Sequence, residues 1–157
     1  MALKTNAMRF LDAHGISYEP FYFSPDIHSA EGVAEALGFP VRQVYKTLVV
    51  AHPDGRPILV LVPGDRELDL ARLARALGVK RLRMATRREA EAWTGLQVGG
   101  ISALALLHRG YRTYIDRAAL EEAQILVSAG RRGINLRLRV QDLIAITGAQ
   151  VVEATAP

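Results

Sequence analysis

Apolar and polar positions alternate along this chain in short runs, each closed by a glycine, a proline or a polar turn. Residues 5–13 place Met8 and Leu11 on one face behind Thr5, with Ile16 beyond, and predict an amphipathic helix that stops before Gly15. An aromatic-rich segment at about 16–23 reads as a strand. Ser29 can cap a short helix over 30–37, which Gly38 ends, with Pro40 beyond. The clearest β signal follows. Val44 to Val50 is a run of strand formers, His52-Pro53-Asp54-Gly55 makes a turn, and Pro57 to Val62 returns. Both runs are apolar nearly throughout, which predicts strands covered on both faces.

Asp69 can cap a helix over 70–77, with Gly78 as its stop, and a strand is expected at 79–84. Thr86-Arg87-Arg88-Glu89 has the form of a capping box and opens a helix that ends before Gly95. Gly99-Gly100-Ile101-Ser102 is a backbone-rich loop leading into an apolar stretch, 103–107. Strands are expected at 112–115, 124–128 and 134–138, a short helix from Asp142 to Thr147, and a last strand at 149–153. One weak internal echo, 35–44 against 75–84, is too short a series for a repeat protein. Strands cluster with short connections and without regular βαβ alternation. The expected fold is therefore α/β of the α+β type: a mixed, largely antiparallel sheet or partial barrel surrounded by helices.

Composition narrows the classes. A chain of 157 residues, half hydrophobic and 23% charged, is expected to be one globular domain, 1–157. It holds no cysteine, which removes disulfides, thiolate metal sites and a cysteine nucleophile. No stretch approaches the ~20 apolar residues of a membrane span, and the first residues lack the apolar region of a signal peptide. A cytoplasmic location without a membrane partner is the expectation. The formal charge is +4, but it is uneven. Arg72, Arg75, Lys80, Arg81, Arg83, Arg87 and Arg88 follow one another with no acidic residue between, and Arg131, Arg132, Arg137 and Arg139 form a second group. Such groups either attract polyphosphates and RNA or form a solvated face.

Of the 20 basic residues only Lys4, Lys46 and Lys80 are lysines, and Lys46 alone lies within an apolar strand. A hidden ammonium needs an anion or loses its proton. Two readings compete: an anchor for a ligand phosphate or ester oxygen, or a lysine snorkelling at a sheet edge. Gly99-Gly100 can bring backbone amides close to an oxyanion, with the Ser102 hydroxyl nearby, or can be an ordinary turn. Ser128 to Asn135, through Gly130, Arg131, Arg132 and Gly133, reads as an anion-binding loop or as a tight hairpin. His14, His28, His52 and His108 show no metal-ligand spacing. His28, beside Ser29 before a helix, lines a pocket or the surface. Asp65, Glu67 and Asp69 fit a turn and a cap. No nucleophile elbow, phosphate loop or dinucleotide fingerprint is present.

Three ordered strings then resemble one family. Gln43 to Val50 resembles the hallmark strand of the YbaK/ProX aminoacyl-tRNA editing family, Val98 to Ser102 its glycine loop, and Val127 to Asn135 its third motif. The resemblance covers almost the whole chain in the right order. It implies a deacylase that removes a small amino acid from mischarged tRNA, in trans or beside prolyl-tRNA synthetase or another synthetase, without a metal or cofactor. It implies that Lys46 holds the terminal adenosine or its phosphate and positions the ester, while Gly99 and Gly100 hold the carbonyl. The same strings supply substrate contacts from Tyr45, Thr47, Ile101 and Ser102, and from Ser128, Gly130 and Asn135, with His28 and Ser29 beside them. Arg81, Arg83, Arg131 and Arg132 are the candidate tRNA contacts. No protein nucleophile is expected, since an aminoacyl ester is already activated. Two departures stand out. Ala103 takes a place where the family often has proline, and Asn135 takes one where cysteine-specific members tend to carry aspartate. Those members also tend to carry an aromatic near Ser29. The competing functions are a non-catalytic binder of tRNA or a synthetase, and a small-nucleotide-binding regulator.

Overall fold

The computed structural model describes residues 4–156. The chain ends counted in the 1–157 range and in the reading of the first residues lie partly outside that description. Among the described residues four of five α-helices are capped as the sequence predicts, and the fifth starts two residues earlier than expected without a side-chain cap. Helix α1 (Asn6–Ala13) starts at Thr5, whose side chain accepts from the Met8 amide. Ser29 caps α2 (Ala30–Leu37) and Asp69 caps α3 (Leu70–Leu77). Thr86 and Glu89 close a reciprocal capping box on α4 (Arg87–Thr94). The last helix, α5, runs over Val140–Thr147.

The strands form two sheets rather than a closed barrel. In the first, β1 (Glu19–Tyr22), β7 (Ile134–Arg139) and β6 (Gln124–Ser128) lie in the order β1-β7-β6, all antiparallel. In the second, the order is β4-β2-β3-β5-β8, from β4 (Arg83–Met84), β2 (Tyr45–Ala51), β3 (Pro57–Pro63), β5 (Arg112–Asp116) and β8 (Gln150–Val152). The β2–β3 hairpin is antiparallel, while β3–β5 and β5–β8 are parallel. "Largely antiparallel" thus holds for four of the six pairings. A single parallel bridge, Val44 to Leu126, joins the sheets.

Two expected strands come out shorter, and one stretch left without an element gains one. The strand expected at 79–84 shrinks to Arg83–Met84, because only Val50 and Ala51 of β2 pair with it. The strand expected at 16–23 shortens to the four residues that meet β7. The apolar stretch 103–107 becomes a 3-10 helix, Leu104–Arg109, with Leu104, Ala105 and Leu106 buried.

Residues of β2 alternate between two cores. Tyr45 and Val49 pack with Leu59, Leu61, Ile115, Ile125 and Leu136. On the other face Leu48 and Val50 pack with Val60, Val62 and Leu73. The chain end is fastened by buried Asp116, whose Oδ1 accepts from the Ala154 and Thr155 amides at 2.9 and 3.0 Å. Gly64 holds α2 against β2. A Cβ there would lie 2.7 Å from Ala30 Cβ and 2.9 Å from the Val44 oxygen.

Candidate active site

Strand β2 has β3 along one side, but β4 covers the other side only at Val50 and Ala51. Among the described residues its outer edge is therefore unpaired from Tyr45 to Leu48, between the bridge at Val44 and the Val49 carbonyl, which accepts from the Ala85 amide at 3.0 Å. A cavity of about 480 Å³ lies along that edge. Residues from both faces of the strand, Lys46 and Leu48 as well as Thr47 and Val49, reach it. The other walls come from the start of α2 (His28, Ser29, Glu31), from α4 and the segment before it (Met84, Ala85, Arg87), from the glycine loop (Val98, Gly99, Ile101), and from Ser128 and Asn135 of the small sheet.

Lys46 is part-hidden, with 26% of its side chain accessible, and its Nζ stands 3.6 Å from Oε1 of Glu67, itself 91% accessible. The ammonium thus pairs with the exposed carboxylate of a loop residue. Gly99 lines the cavity with φ +95°, a conformation that favours glycine. Its N–H makes no hydrogen bond among the described residues. Gly100 differs from the expectation that paired amides face the ester. Its N–H donates to the Gln97 carbonyl at 2.8 Å, it is buried, and it lines a neighbouring hollow instead. Its lack of a side chain lets two loops touch, since a Cβ would lie 2.9 Å from the Arg132 nitrogen and 3.0 Å from the Arg131 carbonyl carbon.

The loop is gripped at Val98. The Val98 N–H donates to Glu91 Oε2 at 2.8 Å, and Arg132 Nε donates to the Val98 carbonyl at 2.8 Å. Sequence reading missed Glu91, Glu67 and Arg87, because acidic and basic side chains on a helix face or loop carry no local sign of what they meet. Several expected contacts have their polar groups engaged. Ser29 Oγ accepts from the Gly32 amide as the α2 cap. Ser102 is 1% exposed and accepts from the Ala105 amide, so it braces the 3-10 helix away from the cavity. Ser128 Oγ accepts from the Gly130 amide, and Gly130 lines the neighbouring hollow. The Tyr45 hydroxyl is buried and has no hydrogen-bond partner among the described residues. Burial, followed by the charges of Asp116 and Glu122, pushes its pKa well above the ordinary tyrosine value, so it stays neutral. Asn135 is 6% exposed and lines the cavity, and its amide makes no hydrogen bond among the described residues.

The arginines expected to meet tRNA line two further hollows. Arg131, Arg132 and Gly100 line a polar hollow of about 480 Å³ that shares His28 with the main cavity. His28 Nε2 donates to the Pro25 carbonyl at 3.0 Å. Arg81 and Arg83 line a separate hollow beyond β4, and Arg83 is tied bidentately to Glu89 at 2.7 and 2.9 Å. Arg137 lies over the Phe39 ring, 5.1 Å from its centroid. Among the described residues no three His, Cys, Asp or Glu side chains converge to hold a metal, and no helix is long and apolar enough to cross a membrane.

The fold and the cavity define an α+β protein that brings one ammonium and a free loop amide to a shared pocket beside a bare strand edge. Residues 24–146 match the family model of the aminoacyl-tRNA editing domain, and the chain belongs to that family. A relative from Enterococcus faecalis, provisionally named Cys-tRNA(Pro)/Cys-tRNA(Cys) deacylase EbsC, is 38% identical over 97% of this chain and 93% of its own length. A proline–tRNA ligase from Nitratidesulfovibrio vulgaris is 35% identical over 85% of this chain, which spans only 22% of that enzyme. A crystal structure described provisionally as a trans-editing enzyme for prolyl tRNA synthetase superposes with a TM-score of 0.83 at 28% identity, covering 99% of this chain and all of that one.

Proposed function

We propose that residues 1–157 form one editing domain, a trans-acting cytoplasmic deacylase that hydrolyses the ester of tRNA mischarged with a small amino acid. One observation carries the reading: Lys46, the free Gly99 amide, Thr47 and Asn135 converge on one cavity. The Lys46 ammonium leaves Glu67 to hold the terminal phosphate or the ribose beside the ester. The Gly99 amide, with that of Ile101 beside it, faces the carbonyl oxygen that becomes negative as water adds. Water forms the new bond to the carbonyl carbon, the acyl–oxygen bond to the ribose breaks, and the ribose oxygen takes the proton. The Asn135 amide meets the substrate ammonium as a neutral acceptor, not as a charged partner. Ser128 and Thr47 form the polar wall of the amino-acid end, while Tyr45 supports that wall from the core. Arg131 and Arg132, in the hollow that shares His28 with the cavity, receive the polynucleotide. A prolyl-tRNA synthetase is the partner class, since the editing domain occurs inside relatives of that name.

The test is a deacylation panel of tRNAs charged with Ala, Cys, Ser, Thr and Pro. Lys46→Ala is expected to lower hydrolysis of the preferred substrate roughly a hundredfold or more, the scale of losing one charge-stabilising group, with an unchanged unfolding midpoint. Full activity in that variant overturns the role of Lys46. Binding across the panel with no hydrolysis by the wild type makes the protein a binder of aminoacyl-tRNA instead.

A further inference from the structure

Beyond β4 lies a hollow that the ester chemistry does not use. Its volume is about 460 Å³, and its floor is apolar: Ala51, Pro53, Leu82 and Trp93. Cations ring it. Arg56, Lys80 and Arg81 are exposed at its rim. Ion pairing nearby is confined to other residues. Asp54 meets Arg112 and His52, and Glu89 meets Arg83. Among the described residues Arg56, Lys80 and Arg81 therefore face solvent with no carboxylate partner.

Strand β4 is the partition between this hollow and the ester cavity. Met84 and Ala85 line the cavity, while Leu82 and Arg83 line the hollow. Ala51, on the floor, stands roughly 16 Å along β2 from Lys46, given the rise of an antiparallel strand. One polynucleotide strand can touch both.

We infer that this hollow is a second RNA seat, in which an unpaired nucleotide of the tRNA lays its base against Trp93 while Arg56, Lys80 and Arg81 take the flanking phosphates. An apolar floor with an aromatic ring suits the face of any base, and loose cations suit a phosphate backbone. An acidic peptide would use the cations but has no need of the indole. The inference rests on the deacylase reading for the identity of the RNA, not for the binding itself.

Trp93 is the only tryptophan in the chain, so its fluorescence reports on the hollow directly. The probe is uncharged tRNA, titrated into the wild type and into Arg56→Gln and Lys80→Gln. Quenching that saturates is expected. Each variant should weaken binding and lower the slope of log affinity against log salt by about 1. On aminoacyl-tRNA each variant should raise KM severalfold and keep kcat, and hydrolysis of an aminoacyl ester of adenosine alone should not change. Unquenched Trp93 in the wild type with an unaltered KM in both variants overturns the inference. So does equal quenching by polyglutamate at the same salt, which would make the hollow a seat for acidic protein. A protein that quenches with tRNA but hydrolyses no aminoacyl-tRNA would sink the deacylase reading and leave this seat standing. Hydrolysis without quenching would do the reverse.

Discussion

Under the proposed function Glu67 competes with a substrate anion, its carboxylate 3.6 Å from the ammonium of Lys46. With 91% of its side chain in water, it gains little from the pair, and exposed ion pairs contribute ~0–1 kcal/mol. The contact therefore shields Lys46 without locking it. Replacing Glu67 by Gln removes the competing charge. The expected result is a lower KM for aminoacyl-tRNA at unchanged kcat, with stability altered by less than about 0.5 kcal/mol. Steady-state kinetics of the variant settle it, and a fall in kcat would show instead that Glu67 takes part in the chemistry. The strand run that made Lys46 conspicuous in the sequence says nothing of Glu67, which arrives from a turn beyond β3. The identity of the anion was decided by the return of the chain, not by any local pattern.

At the scale of the element, α4 shows how local signals and a long-range role combine. Thr86 and Glu89 cap the helix reciprocally, and Thr86→Ala is expected to cost about 1 kcal/mol in chemical denaturation. Glu89 also holds Arg83. That guanidinium, with the Thr86 amide behind it, depresses the Glu89 carboxyl from its ordinary 4.5 to about 2. A depressed carboxyl contributes stability above its unfolded value and loses it as pH falls through its folded value. Wild type should therefore lose stability more steeply between pH 4.5 and 2 than Glu89→Gln, and unfolding midpoints across that window measure it. Equal slopes would mean that the Arg83 pair does not persist in solution. The capping box was legible because all its partners lie within four residues. The grip of Glu91 on Val98 was not, because a carboxylate on a helix face carries no mark of the loop it will meet.

Across the whole molecule, the cavity wall that carries Gly99 is held where the glycine loop after α4 meets the β6–β7 loop at Gly100. A methyl group there meets backbone at 2.9 and 3.0 Å, which no rotamer change relieves. Gly100→Ala should thus lower stability by about 1–3 kcal/mol, as overpacking does, and lower deacylation further by moving the Gly99 amide. Thermal unfolding and the deacylation panel together test this, and wild-type values in both would refute the packing role. The expectation that both glycine amides face the ester came from the string alone. Adjacent amides point to different sides of a turning backbone, so one was left for the cavity and the other for the turn.

Caps, stops and apolar runs determined by themselves where α2, α3 and α4 begin and end and where the central hairpin turns, since each depends on groups a few residues apart. They also marked Lys46, because a lone cation in an apolar strand is unusual on local grounds. The parallel pairings of β3, β5 and β8, the shortening of β4 and the bare edge of β2 depended on which segments meet across long stretches of chain. Tertiary structure alone could decide these, because a strand's edge is satisfied or left open only by the neighbour that arrives there.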